Sequence, residues 1–197
     1  MEKDDRDLFR VRTITCFLNL EISDFDNDKY EEKIATAARF LHHAEAEIMN
    51  AGYTVQTLRI ATNPFGEWNV SRDQRLYELV DAALAKNDLT FCALGPAKSV
   101  DQVQECLKIV QVSERFSCSA DLQANDVKMA NACAKAILEL SRHGNGLGNF
   151  RFCVASCAVD CIPFFPIAKA PSMDSTPNKF AIGLENGQLA HKLLSEC

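Results

Sequence analysis

One unit recurs along the chain: a short run of β-branched or aromatic residues, a loop, then an amphipathic helix. The runs occupy residues 11–20, 54–60, 89–94, 116–122 and 150–159, with a sixth at 180–184. Strands that alternate with helices pair in parallel through right-handed crossovers, which predicts an α/β architecture. The first helix carries Tyr30, Ile34, Ala37, Leu41, Ala44 and Ile48 on one stripe, with Asp28 and Glu31 as a predicted cap and Gly52 as its stop. Ser71 with Gln74, Ser99 with Gln102, and Asn125 precede the next three helices, and Asn186 or Gly187 opens a last short one. No linker, repeat boundary or charge block divides the chain, so residues 1–197 read as a single α/β domain.

The two faces of the strands differ in a way that narrows the architecture further. In the first strand Ile14, Cys16, Leu18 and Leu20 alternate with Thr13, Thr15 and Asn19, although Val11 and Phe17 break the polar set. In the fourth, Phe116, Cys118, Ala120 and Leu122 alternate with Ser117, Ser119 and Asp121. In the sixth, Phe180, Ile182 and Leu184 alternate with Ala181, Gly183 and Glu185. A sheet with helices on both faces reads apolar on both. One apolar and one small or hydroxylic face predicts a parallel sheet curved as a half barrel, with helices mainly on its outer face and a polar wall inside.

Composition excludes several classes of function. The formal net charge of −6 and the scattered lysines and arginines argue against a nucleic-acid partner. No apolar run approaches the roughly 20 residues of a membrane helix, and the polar, acidic start does not resemble a signal peptide. The expectation is a cytoplasmic protein with no membrane partner. Nine cysteines without an export signal read as reduced thiols, with Cys16, Cys92 and Cys118 in strands and Cys106 and Cys133 in helices.

Several stretches together resemble the domain-of-unknown-function 711 family. They are Val11-Arg12-Thr13-Ile14-Thr15, Ser117-Cys118-Ser119-Ala120-Asp121-Leu122, Asn149-Phe150-Arg151-Phe152-Cys153-Val154, Ile162-Pro163-Phe164-Phe165-Pro166-Ile167-Ala168 and Phe180-Ala181-Ile182-Gly183-Leu184-Glu185. The resemblance implies a fold related to the pyruvate formate-lyase barrel, in which two five-stranded parallel halves enclose a site. It also implies that the chain corresponds to about the first half of longer relatives. The family brings no reaction and no cofactor with it.

Individual motifs favour bland readings. Gly52-Tyr53 lacks the arginine-rich surroundings of a glycyl-radical site, because Met49 stands where an arginine is expected, and Gly52 instead ends a helix. Cys153, Cys157 and Cys161 are spaced by four, one residue too many for a radical S-adenosylmethionine cluster loop. Cys153 and Cys157 would also lie about 13 Å apart along a strand. Cys157 and Cys161 remain a candidate thiol pair at the strand end. The acidic run 24–28 lacks the glycine and glutamate of a calcium loop, and Gly144-Asn145-Gly146-Leu147-Gly148 precedes a strand instead of following one. No metal ligands or cofactor are assigned.

Ligands of parallel α/β proteins gather at the C-terminal ends of the strands. Those positions hold Asn19, Asn63, Glu67, Trp68 and Lys98 as ligand-binding candidates, and Asp121, Asp160 and Glu185 as acid–base candidates, with Cys157 or Cys161 as accessory thiols. The expected function is binding of a small polar or anionic metabolite there, with carboxylate acid–base catalysis. The alternative is a non-catalytic barrel half that pairs with itself or with a full-length relative, since a half barrel leaves unpaired edges.

Overall fold

The computed structural model describes residues 8–142, 144–156, 162–171 and 179–195. Six strands form one sheet: β1 (Arg10–Leu18), β2 (Val55–Thr62), β3 (Phe91–Ala97), β4 (Phe116–Leu122), β5 (Phe152–Ser156) and β6 (Phe180–Glu185). Their order is β5-β4-β3-β2-β1-β6, and the sheet curls into a half barrel. The helices between strands are α1 (Ile22–Phe25) and α2 (Lys29–Asn50), then α3 (Phe65–Trp68) and α4 (Gln74–Lys86), α5 (Val100–Val112) and α6 (Val127–Leu140). A 3₁₀ segment, Gly144–Arg151, follows α6, and α7 (Gly187–Ser195) follows β6.

The alternation of side chains decides which face the helices cover. Ile14, Cys16, Ile60, Cys92, Leu94, Phe116, Cys118 and Phe152 point outward into one core with Ile34, Leu41, Val80, Leu84, Val103, Ile109, Cys133 and Leu140 of α2, α4, α5 and α6. The inner face is built from Phe17, Ala61 and Ala93, which the segment 162–171 covers with Phe165, Ala168 and Ala170. A backbone bond from Ala170 N to Thr62 O (2.9 Å) fastens that cover to the end of β2. The predicted polar wall therefore exists in composition, but it is partly roofed. On the same inner face, Thr15 Oγ1, Ser117 Oγ and Ser119 Oγ are buried and have no hydrogen-bond partner among the described residues.

Five sequence expectations differ from the structure. β6 runs antiparallel to β1, with Arg10 opposite Glu185 and Cys16 opposite Phe180. The chain enters β6 at the C-terminal end of β1, where Phe17 N bonds Lys179 O (2.9 Å), so it can only run downward along β1's free edge. Asp28 does not cap α2, because it sits in the left-handed region (φ 58°) with no side-chain bond to the helix. Asp73, not Ser71, caps α4 by accepting from Arg75 N, and Asp126, beside Asn125, caps α6 by accepting from Met129 N. The strand expected over 150–159 begins at Phe152, since Gly144–Arg151 forms 3₁₀ turns kinked at Asn145 and Gly146. The Ser99 cap and the left-handed stop at Gly52 (φ 89°) are as expected.

Candidate functional site

The C-terminal edge of the sheet is held together by side chains, not only by the strand ladder. Asn63, just after β2, accepts from Leu20 N (2.9 Å) and donates to Leu20 O (3.1 Å), tying the end of β1 to that of β2. Its amide also donates to Glu67 Oε2 (3.3 Å). Glu67 Oε1 in turn accepts from Lys98 Nζ (2.8 Å), at the end of β3. Lys98 N donates to Gln102 Oε1 (2.6 Å), in the first turn of α5. Gly95 makes this closeness possible: it takes a left-handed φ of 74°, and a β-carbon there would lie 2.7 Å from Asn63 O.

The register extends the row to β4. Ala97 pairs with Ala120, so Lys98 and Asp121 come one step later on neighbouring strands. On the other side, Asn19 follows β1, and its Oδ1 is buried with no partner among the described residues. Its carbonyl accepts from Lys33 Nζ (3.2 Å), which also pairs with the buried Asp24 (2.7 Å). Asp24 accepts from Glu21 N (2.8 Å), closing the loop after β1. Four adjacent strands thus carry Asn19, Asn63 with Glu67, Lys98 and Asp121 along one rim.

Other sequence candidates fall elsewhere. Trp68 is fully buried, stacked on Phe25 (5.5 Å) and edge-on to Tyr77 (5.6 Å), so it supports the rim from inside the core. Glu185 stands opposite Arg10, at the start of β1 and the far end of the sheet, because β6 is antiparallel. Asp160, Cys157 and Cys161 lie outside the described residues. Cys153 lies on the inner face beside Ser119, its thiol pushed up to about 11 by burial. Among the described residues, no group of three His, Cys, Asp or Glu side chains is placed to hold a metal ion, and no helix is long and apolar enough to cross a membrane.

Sequence reasoning missed Lys33 with its partner Asp24, and it read Gln102 only as part of the Ser99 cap, although its side chain also accepts from Lys98 N. It also missed Arg59, a cation in the middle of β2. There the signal was legible: Arg59 is the one charged residue in the strand, at a position where Ala61 two places on belongs to the small face.

The family model described as Uncharacterised ACR (DUF711) matches residues 4–197. No curated protein matches the chain.

Proposed function

The chain belongs to the DUF711 family, whose description assigns no activity, and on that footing we propose that it binds a small polar or anionic metabolite at the C-terminal rim. One observation carries this: Asn19, Asn63, Glu67, Lys98 and Asp121 stand on four consecutive strands, at the end where α/β sheets bind ligands. The Glu67–Lys98 pair is about half exposed on both sides. An exposed pair contributes roughly 0–1 kcal/mol, so a ligand carboxylate or phosphate can take over Lys98 at small cost. The unpartnered Asn19 Oδ1 offers an acceptor to a ligand donor. Asp121 is then the carboxylate positioned to move a proton, with Glu67 in place of Glu185 as the second acidic group.

The test is a thermal-shift screen of the whole chain against carboxylates, phosphates, polyols and divalent cations, repeated on Lys98→Gln and Asp121→Asn. A compound that stabilises the parent and neither variant supports the site. A hit that both variants retain in full removes it.

A second reading, self-association, is favoured by the edge strand β6, whose Phe180, Ile182 and Leu184 are each about half exposed on the helix-side face. Sedimentation velocity at tens of micromolar tests it: a concentration-dependent dimer supports pairing, and a monomer throughout excludes it.

A further inference from the structure

Arg59 lies on the inner face of β2, three residues before the rim and about 10 Å below it at roughly 3.3 Å per residue. Its guanidinium is sandwiched between two rings, 5.0 Å from the centroid of Phe91 and 4.8 Å from that of Phe165 in the roof segment. Its Nε donates to Thr57 Oγ1 (3.0 Å), and Thr57 Oγ1 donates to the carbonyl of Arg12 (3.1 Å). This chain of bonds fixes the side chain from below while the rings fix its plane. A stacked arginine held at Nε presents its remaining N–H groups edge-on, which is the fork geometry that binds an oxyanion.

No carboxylate answers that charge among the described residues. Arg59 forms no ion pair there, and burial, followed by the like charge of Arg12, holds it below the usual guanidinium range. Among the described residues, a half-buried cation with a second cation nearby is thus left without a counter-charge. The adjacent strand supplies a further unfinished group. Thr15, in register with Arg59, is fully buried, and its Oγ1 has no partner among the described residues. Thr15 shares the inner face with Arg59 and stands beside it in the strand register.

We propose that Arg59, with Thr15 and the charge of Arg12, forms an anion site for a phosphoryl group on the inner face, separate from the rim. Two positive charges match a phosphate dianion better than a carboxylate monoanion, and a hydroxyl donor beside the fork suits a third oxygen. The site does not depend on the rim proposal, which uses other residues, at the C-terminal ends of the strands.

Isothermal titration of the whole chain with sodium phosphate, at constant ionic strength in chloride, tests it. Saturable binding is expected, weakened about tenfold or more in Arg59→Gln and about three- to tenfold in Thr15→Val, which keeps the shape and removes the hydroxyl. Acetate should bind at least about tenfold more weakly than phosphate. The proposal is overturned if phosphate does not bind, if Arg59→Gln binds it as the parent does, or if acetate binds equally well. It is also overturned if the exposed Arg142→Gln weakens binding as much as Arg59→Gln, which would reduce the effect to net charge. Weakening by Lys98→Gln and not by Arg59→Gln would place the anion at the rim and equally refute it. Should Arg59→Gln fail to fold, Arg59→Lys carries the test, because it keeps the charge and loses the fork: weaker phosphate binding supports the site, and unchanged binding overturns it.

Discussion

Replacing Asn63 by alanine removes a side chain that fastens the loop after β1 to the end of β2. Asn63 and Leu20 are both buried, so the two Leu20 backbone groups that Asn63 satisfies have no ready access to water. A buried donor or acceptor left without its partner costs about 1–3 kcal/mol. Two such groups at a rim, where some rehydration follows the vacated volume, give an expected loss of about 2–4 kcal/mol. With a urea m-value near 2.5 kcal/mol/M, that moves the denaturation midpoint down by about 1 M at unchanged slope. Asn63→Asp sharpens the test. The carboxylate still accepts from Leu20 N but now faces both Leu20 O and Glu67 Oε2. It should be at least as destabilising at neutral pH, and stability should return as pH falls and the new carboxyl takes up a proton. A loss below about 0.5 kcal/mol for Asn63→Ala, measured by urea unfolding of parent and variant side by side, would refute the idea that these bonds hold the rim together.

Gly95→Ala forces a β-carbon against the Asn63 carbonyl in a left-handed conformation, and the expected loss is about 2–4 kcal/mol by the same urea assay, with a neutral effect contradicting it. Glu105 is buried, and although Tyr77 Oη donates to it at 2.7 Å, burial raises its carboxyl above the usual range. A raised folded-state value means stability is fully present below the unfolded value of about 4.3 and is lost as pH rises through the folded one. The midpoint of Glu105→Gln relative to the parent should therefore climb with pH across that window, and a flat difference would contradict it. Burial pushes the thiol of Cys16 up to about 11 and those of Cys92, Cys106 and Cys133 upward as well. Iodoacetamide followed by peptide mass spectrometry at pH 8 should leave these four unmodified in the folded chain and label them in urea. Rapid labelling of Cys92 in the native state would count against the core as described.

The architecture was legible because it rests on periodicity. Ile14, Cys16 and Phe116 against Thr15, Ser117 and Ser119 say which face the helices take before any contact is known. The direction of β6 was not legible, because it depends on where the chain enters the edge of β1, and the Phe17–Lys179 bond settles that across 162 residues of sequence. Short-range cap signals competed with one another: Asn69 and Asp73 bond reciprocally through Asn69 Oδ1 and Nδ2, which favours Asp73 as the start of α4 over Ser71. At the rim, Asn19, Asn63, Glu67, Lys98 and Asp121 were legible as strand ends, but the ion pair between Glu67 and Lys98 was not. Trp68 read as a ligand-binding candidate at a strand end, but Phe25, 43 residues earlier, and Tyr77, on the next helix, pack against it in the core. Arg59 needed the roof segment, because only Phe165 turns a lone strand cation into a sandwiched one.

Hydrogen-exchange mass spectrometry with and without the best-stabilising compound of the thermal-shift screen bears most directly on the rim as the binding site. Protection is expected in peptides covering 19–24, 62–68 and 96–102 and at the end of β4, with the helix faces unchanged. Protection confined to α2, α4, α5 and α6, with those three loops exchanging as before, would contradict it.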